Sequence, residues 1–238
     1  WKIDTEVQTN GTVPLSNNPT YPENGDWLYL IAVAPKASSY SEDEGKVTYT
    51  LAGQTDLMYA SQISGNRWDG SRFSNTDGTG TPLTYKHLLT QLTFKAMKKV
   101  TGGLTVKVKK ITVTTTNSVT LALTNGETSF SGSGELSLEL PDGGTEISGT
   151  TATSLSNSLL LPPLTGTSDA YKLTVETSIG TFKDLEITPQ SDGGNLSFAG
   201  GTSHEITLNI GDKELGISSV TVSGWVPVIQ NDDLNLVE

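Results

Sequence analysis

The sequence predicts an all-β protein, folded as two compact domains or else as one large sandwich. Three observations predict it. Apolar residues recur with period two, the repeat that sends alternate side chains to one face of a strand, and helical period is nearly absent. Thr, Ser and Gly are abundant, with 25 glycines in 238 residues, a composition suited to strands and tight turns. The length exceeds the roughly 100 to 150 residues of a common single domain.

The first portion has three strand candidates: Trp27 to Ala34 (WLYLIAVA), Lys46 to Leu51 (KVTYTL) and Leu57 to Ser61. Long polar loops separate them. Clearer alternation follows in Leu92, Phe94 and Ala96, in Leu104, Val106 and Val108, in Val119, Leu121 and Leu123, and in Leu136, Leu138 and Leu140. Later runs are Leu173 with Val175, Leu185 with Ile187, Ile206 with Leu208 and Ile210, and Val220 with Val222. Most alternate with Thr, Lys, Ser or Glu, the mark of antiparallel sheets with one face on a core and one in water.

The apolar parity switches at three places: Lys109 and Lys110, Lys183 and Asp184, and Ser218 and Ser219. Each switch predicts a bulge or bend, because a one-residue slip turns every later side chain to the other face. Hairpins are expected around Ser178 to Gly180 and around Gly211 to Gly216. Ser74 to Thr84 and Leu140 to Thr153 read as connectors. Strand counting places the domain boundary near Thr115 to Ser118, giving domains 1–116 and 117–238, with a boundary inside Ser74 to Thr84 as the alternative.

Lys plus Arg is 15 against 26 Asp plus Glu, a net charge of -11. The summed field repels phosphate backbones, so nucleic acid is not an expected partner. The absence of cysteine excludes disulfides, thiolate catalysis and Cys-based zinc sites. No apolar stretch approaches the roughly 18 residues of a membrane span, and the opening at Trp1 carries no signal-peptide pattern. The chain is therefore read as a mature or trimmed form.

An enzyme is not expected. The two histidines, His87 and His204, each open a strand pattern and read as structural or solvent-facing. No H-E-x-x-H, G-x-S-x-G, P-loop or helix-opening G-x-G-x-x-G occurs. Carboxylates cluster at Glu42, Asp43 and Glu44 and at Asp232 and Asp233, in polar segments that read as solvated loops rather than as buried catalytic acids or glycosidase pairs. Those runs and Asp142 to Gly144 lack the spacing of an EF-hand loop. No cofactor and no metal are expected. The segment GNRWDGSRF, Gly65 to Phe73, is different. It holds both arginines of the chain, Arg67 and Arg72, around Trp68 and Asp69. An exposed Trp68 beside these charges would stack on a sugar ring; the alternative is a ring folded back on the sandwich.

DLMYAS (Asp56 to Ser61) followed by YKHLLTQLTFKA (Tyr85 to Ala96) resembles the paired signature of the fimbrillin family. HEITLNIGDKELGISSVTVSGW (His204 to Trp225) is similar to the final hairpin and closing Trp of those proteins, and WLYLIAVAP fits an earlier core strand. The resemblance implies two tandem transthyretin-like, Greek-key β-sandwich domains. It also implies a non-enzymatic pilus subunit of gut and oral Gram-negative anaerobes, exported as a lipoprotein precursor and touching the membrane only through that lipid anchor. Its partners would be other pilin subunits, joined by strand exchange, and a glycan or protein of a host or bacterial surface. A donated strand fills a groove that exposes apolar core and unpaired backbone groups. The last segment alternates at Val226, Val228, Leu234 and Leu236 and is the candidate donor; the other reading is a strand end at Val226 to Ile229. Pro227 suits an edge in either case.

Overall fold

The computed structural model describes residues 2–6, 20–73, 80–101, 105–166, 169–189, 197–211, 215–225 and 228–230. Within them the chain is all-β. The first five strands are β1 (Leu28–Ala34), β2 (Ser39–Ser41), β3 (Lys46–Thr50), β4 (Met58–Gly65) and β5 (Leu83–His87). Next come β6 (Thr90–Lys98), β7 (Val106–Thr115), β8 (Ser118–Ala122), β9 (Thr128–Ser131), β10 (Gly134–Glu139) and β11 (Thr145–Ile147). The last six are β12 (Thr153–Leu161), β13 (Tyr171–Thr177), β14 (Gly180–Ile187), β15 (Thr202–Ile210), β16 (Leu215–Gly224) and β17 (Val228–Gln230).

They form four sheets. Sheet I has the order β1-β4-β5-β17, and sheet II β2-β3-β8-β9. Sheet III runs β10-β7-β13-β14 with β11 also on β7, and sheet IV runs β12-β6-β15-β16. Among the described strands only β6 and β15 pair in parallel.

Alternation puts one face of each sheet inside. In β6, Leu92, Phe94 and Ala96 are buried; in β7 so are Val106, Val108, Ile111 and Val113. Sheets III and IV thus meet over a core that also takes Leu136, Leu138, Leu173, Val175, Ile206 and Leu208. Sheets I and II meet over Val47, Tyr49, Tyr59, Val119 and Leu121. Two phenols tie this second core to backbone: Tyr59 Oη donates to the Leu123 carbonyl (2.9 Å) and Tyr49 Oη to that of Pro35 (3.1 Å).

The two cores are continuous. The loop between β3 and β4 is the joint. There the Gln54 amide reaches the carbonyls of Ser137 (3.3 Å) and Ser158 (3.1 Å), and the Leu160 amide donates to Gly53 (2.8 Å). Gly53 has φ +92°, and a Cβ there would collide with Leu159 and crowd the backbone at Ser137, so only glycine fits.

All three parity switches are bulges. Glu176 pairs with Lys110 and Thr177 with Val108, leaving Lys109 unopposed. Leu173 pairs with Leu185 and Val175 with Phe182, while Asp184 takes φ +57°. Thr207 pairs with Ser219 and Leu208 with Ile217, so Ser218 is the extra residue; its hydroxyl donates to the Thr207 carbonyl (3.2 Å). Both expected hairpins form, as β13 with β14 and β15 with β16.

Two findings differ from the sequence reading. Leu140 to Thr153, expected as a connector, holds the short β11, with Ile147 fully buried. β12 was not foreseen, because Asn157 at φ +67° and a register shift between Ser154 and Ser158 erase its alternation. Separately, hydrogen bonding crosses position 116/117 both ways. β6 and β7 pair with strands that follow it, and β8 pairs back with β3.

Candidate functional site

Two places on sheet I carry the functional argument. At the first, the chain leaves sheet IV at Trp225, whose amide donates to the Gly201 carbonyl (3.0 Å). Its indole lies flat on the His87 ring, centroids 3.7 Å apart and planes 7° from parallel. On β5 the alternation Leu83, Tyr85, His87 buries all three side chains on one face. Its Nδ1 is 2.7 Å from Asp56 Oδ2. Burial pushes the Asp56 carboxyl up from its usual range, and the adjacent His87 opposes that rise. Asp56 Oδ1 is buried with no hydrogen-bond partner among the described residues.

Beyond this cluster β17 pairs antiparallel with β5, Val228 opposite Tyr85, Ile229 opposite Thr84 and Gln230 opposite Leu83. The last described strand therefore covers the edge of the first sheet. Of the candidate donor residues, Val228 lies in β17, while Val226, Leu234 and Leu236 lie outside the described residues. His87 is buried and one face of its ring lies under the indole, so the cluster acts as a clasp at the crossing.

The second place is the loop after β4, whose fold hangs on Asn66, a buried residue. Its Oδ1 accepts from the amides of Trp68 (2.8 Å) and Asp69 (3.3 Å), and its Nδ2 donates to the Gly25 carbonyl (2.6 Å). The Arg72 guanidinium closes the turn from the other side, donating to the carbonyls of Asn66 (2.9 Å) and Arg67 (3.2 Å). It also lies 5.3 Å from the centre of the Tyr21 ring. Tyr21 and Phe73 stack beneath, in a small core on the outer face of sheet I. Trp68 itself is 70% exposed. It is not folded into the sandwich: its six-membered ring rests against Gly25, where a Cβ would strike it.

Other candidates separate. Glu42, Asp43 and Glu44 form the exposed turn between β2 and β3, with Glu44 3.3 Å from Lys46. Asp142 lies in a single 3-10 turn, and Asp232 and Asp233 fall outside the described residues. Among the described residues no three His, Asp or Glu side chains gather as a metal site. His204 is buried on β15 against Phe198. Thr202 Oγ1 gives its proton to Ala199 (2.6 Å) and so accepts from His204 Nε2 (2.9 Å). Burial lowers the His204 pKa to about 4, holding the ring neutral.

The fold defines the class: a protein of packed β-sheets whose closing strand returns to the edge of its first sheet. The chain belongs to the fimbrillin-like family, whose sequence pattern matches residues 2–225. Two solved structures share the fold at 16% identity, both described as candidate cell adhesion proteins. One, from Bacteroides ovatus, has a TM-score of 0.59 over 94% of this chain and 79% of its own. The other, from Bacteroides uniformis, has a TM-score of 0.55 over 87% of this chain and 76% of its own. No curated protein matches the chain.

Proposed function

We propose that this chain is a fimbrial subunit or adhesin of the bacterial cell surface, without enzymatic activity, exported as a lipoprotein precursor and joined to other subunits by β-strand donation. The observation that carries the reading is family membership across residues 2–225. Its two units are transthyretin-like Greek-key sandwiches, divided by sheet partnership (sheets I and II, sheets III and IV) rather than at position 116/117.

Strand donation is supported by β17. A three-residue ladder on a sheet edge is the kind of contact that a strand from another chain replaces, because both satisfy the same backbone groups. In this reading the segment bearing Val226, Val228, Leu234 and Leu236 leaves its own β5 and pairs with a neighbouring subunit.

The test uses the absence of native cysteine. Thr84→Cys with Ile229→Cys joins two directly opposed residues, at a spacing that suits a disulfide. The oxidised chain should stay monomeric, and the reduced chain should form oligomers after limited proteolysis of its N-terminal end. A chain ending at Trp225 should form none. Equal polymerisation of oxidised and reduced forms would overturn strand donation.

A further inference from the structure

The feature that subunit assembly leaves unused is the exposed ring of Trp68. An indole at 70% exposure leaves a large apolar surface in water, and solvent alone would favour folding it away. The loop prevents that. Asn66 fixes the backbone at Trp68 and Asp69 and anchors it to Gly25, while Arg72 bridges the carbonyls on the far side. Gly25, at φ +81°, lets the ring rest against bare backbone. The ring is thus held from one side and open on the other.

What borders the open side narrows the ligand. Arg67 and Asp69 are both exposed. Asp69 Oδ1 accepts from the Ser71 amide (2.8 Å), which pins the carboxylate, and its second oxygen takes no hydrogen bond among the described residues. A flat π-face with a pinned carboxylate and an exposed guanidinium on the two neighbouring residues matches a ligand with an apolar face and hydroxyls around its rim. The ring's negative face attracts polarised C–H groups, while Arg67 donates and Asp69 accepts at the rim. The net charge of -11 disfavours polyanions.

Two more exposed aromatics arise at the same end of the sheet. Leu28 is paired with Gly65 and Tyr29 with Ser64, so Trp27 (42% exposed) and Tyr29 (58% exposed) start beside the strand end from which the Trp68 loop departs. We propose that this end of sheet I is a carbohydrate-binding site, with Trp68 as the stacking platform for a neutral hexopyranose and Arg67 and Asp69 as hydroxyl partners. Arg72 is a positioning residue that shapes the loop. Trp27 and Tyr29 supply the surface for a second sugar unit.

The experiment is a glycan array of neutral β-galactose- and β-glucose-ended oligosaccharides beside sialylated ones, with saturation-transfer NMR on lactose and cellobiose. The native chain should bind neutral members. Trp68→Ala should reduce affinity at least tenfold, and Trp68→Tyr, which keeps a smaller ring, should retain part of it. The thermal midpoint should be unchanged in both, because the ring is mostly in water. Asp69→Asn should shift the preference among sugars while leaving stacking in place. Absence of neutral-sugar binding, binding confined to sialylated members, or binding indifferent to Trp68→Ala would each overturn the proposal. So would a protein partner that needs Trp68 where no sugar binds. A chain ending at Trp225 should bind sugar normally, so failure of strand donation and failure of this site are read separately.

Discussion

The two pairs of sheets are built by the same alternation and differ in what they enclose and expose. Sheets III and IV enclose mainly aliphatic residues, with Leu92, Val108, Ile111, Leu138, Leu173 and Ile206 fully buried, around Phe94, Phe198 and Tyr171, whose hydroxyl donates to the Pro162 carbonyl. Sheets I and II enclose a core whose largest members, Tyr49 and Tyr59, keep their hydroxyls on backbone carbonyls. Sheet I also carries apolar residues on both faces, the second covered by Tyr21 and Phe73. The clasp at Trp225, the β17 edge and the Trp68 loop all belong to sheet I. The difference teaches that one sandwich supplies stability and the other presents edges and loops, which open at lower cost.

The largest effect should come from breaking the closed core. Phe94→Ala, at a site 2% exposed, should cost about 3 to 5 kcal/mol, and chemical denaturation should show both sandwiches weakened together, since their cores are continuous. Independent melting of sheets I and II would break the comparison.

Next in size is His204. Its folded pKa of about 4 lies below the ordinary histidine value of 6.5, so the unfolded chain binds the proton first. Its contribution is complete above pH 6.5 and is lost as pH falls through that window towards 4, at most about 3 kcal/mol. Denaturant midpoints of the native chain should fall between pH 7 and 4.5 by more than those of His204→Gln. Parallel profiles would remove His204 from the account.

Smaller effects are expected in sheets I and II. Tyr59→Phe removes one hydrogen bond and leaves the Leu123 carbonyl without that donor, about 1 kcal/mol. Trp225→Ala removes the stack on His87, about 1 kcal/mol, and should raise amide exchange on β17 about fivefold with little change in the global midpoint. Equal loss of protection in sheets III and IV would mean the clasp is part of the common core.

Much of this was legible in the sequence. The bulges at Lys109, Asp184 and Ser218 were visible because each shifts apolar parity within a strand, and burial on both sides of the shift leaves one solution. β12 was not, since its bulge at Asn157 disrupts the alternation that would mark it. Sheet membership was hidden too: β7 and β8 are separated by two residues yet join different sheets, and strand counting cannot see partners. At the sites, Arg67, Trp68, Asp69 and Arg72 were legible as an unusual loop. The residue that organises it, Asn66, was not, because a buried amide's partners come from Gly25 and from backbone. The Asp56, His87 and Trp225 clasp is contributed by three segments, each inside a stretch that resembles the family, but nothing local in any one of them points to the others.

The parallel pairing of β6 with β15 has a consequence for how the chain acquires its fold. Gln91 and Ser203, side-chain partners on these neighbouring strands, are 112 residues apart, and non-local closure of this kind slows folding. During synthesis β6 emerges well ahead of β15 and waits, one edge unsatisfied, until β15 arrives. An N-terminal fragment that stops before residue 202 would leave that edge open to other chains, so an interrupted copy of this protein is an aggregation hazard that the finished one is not.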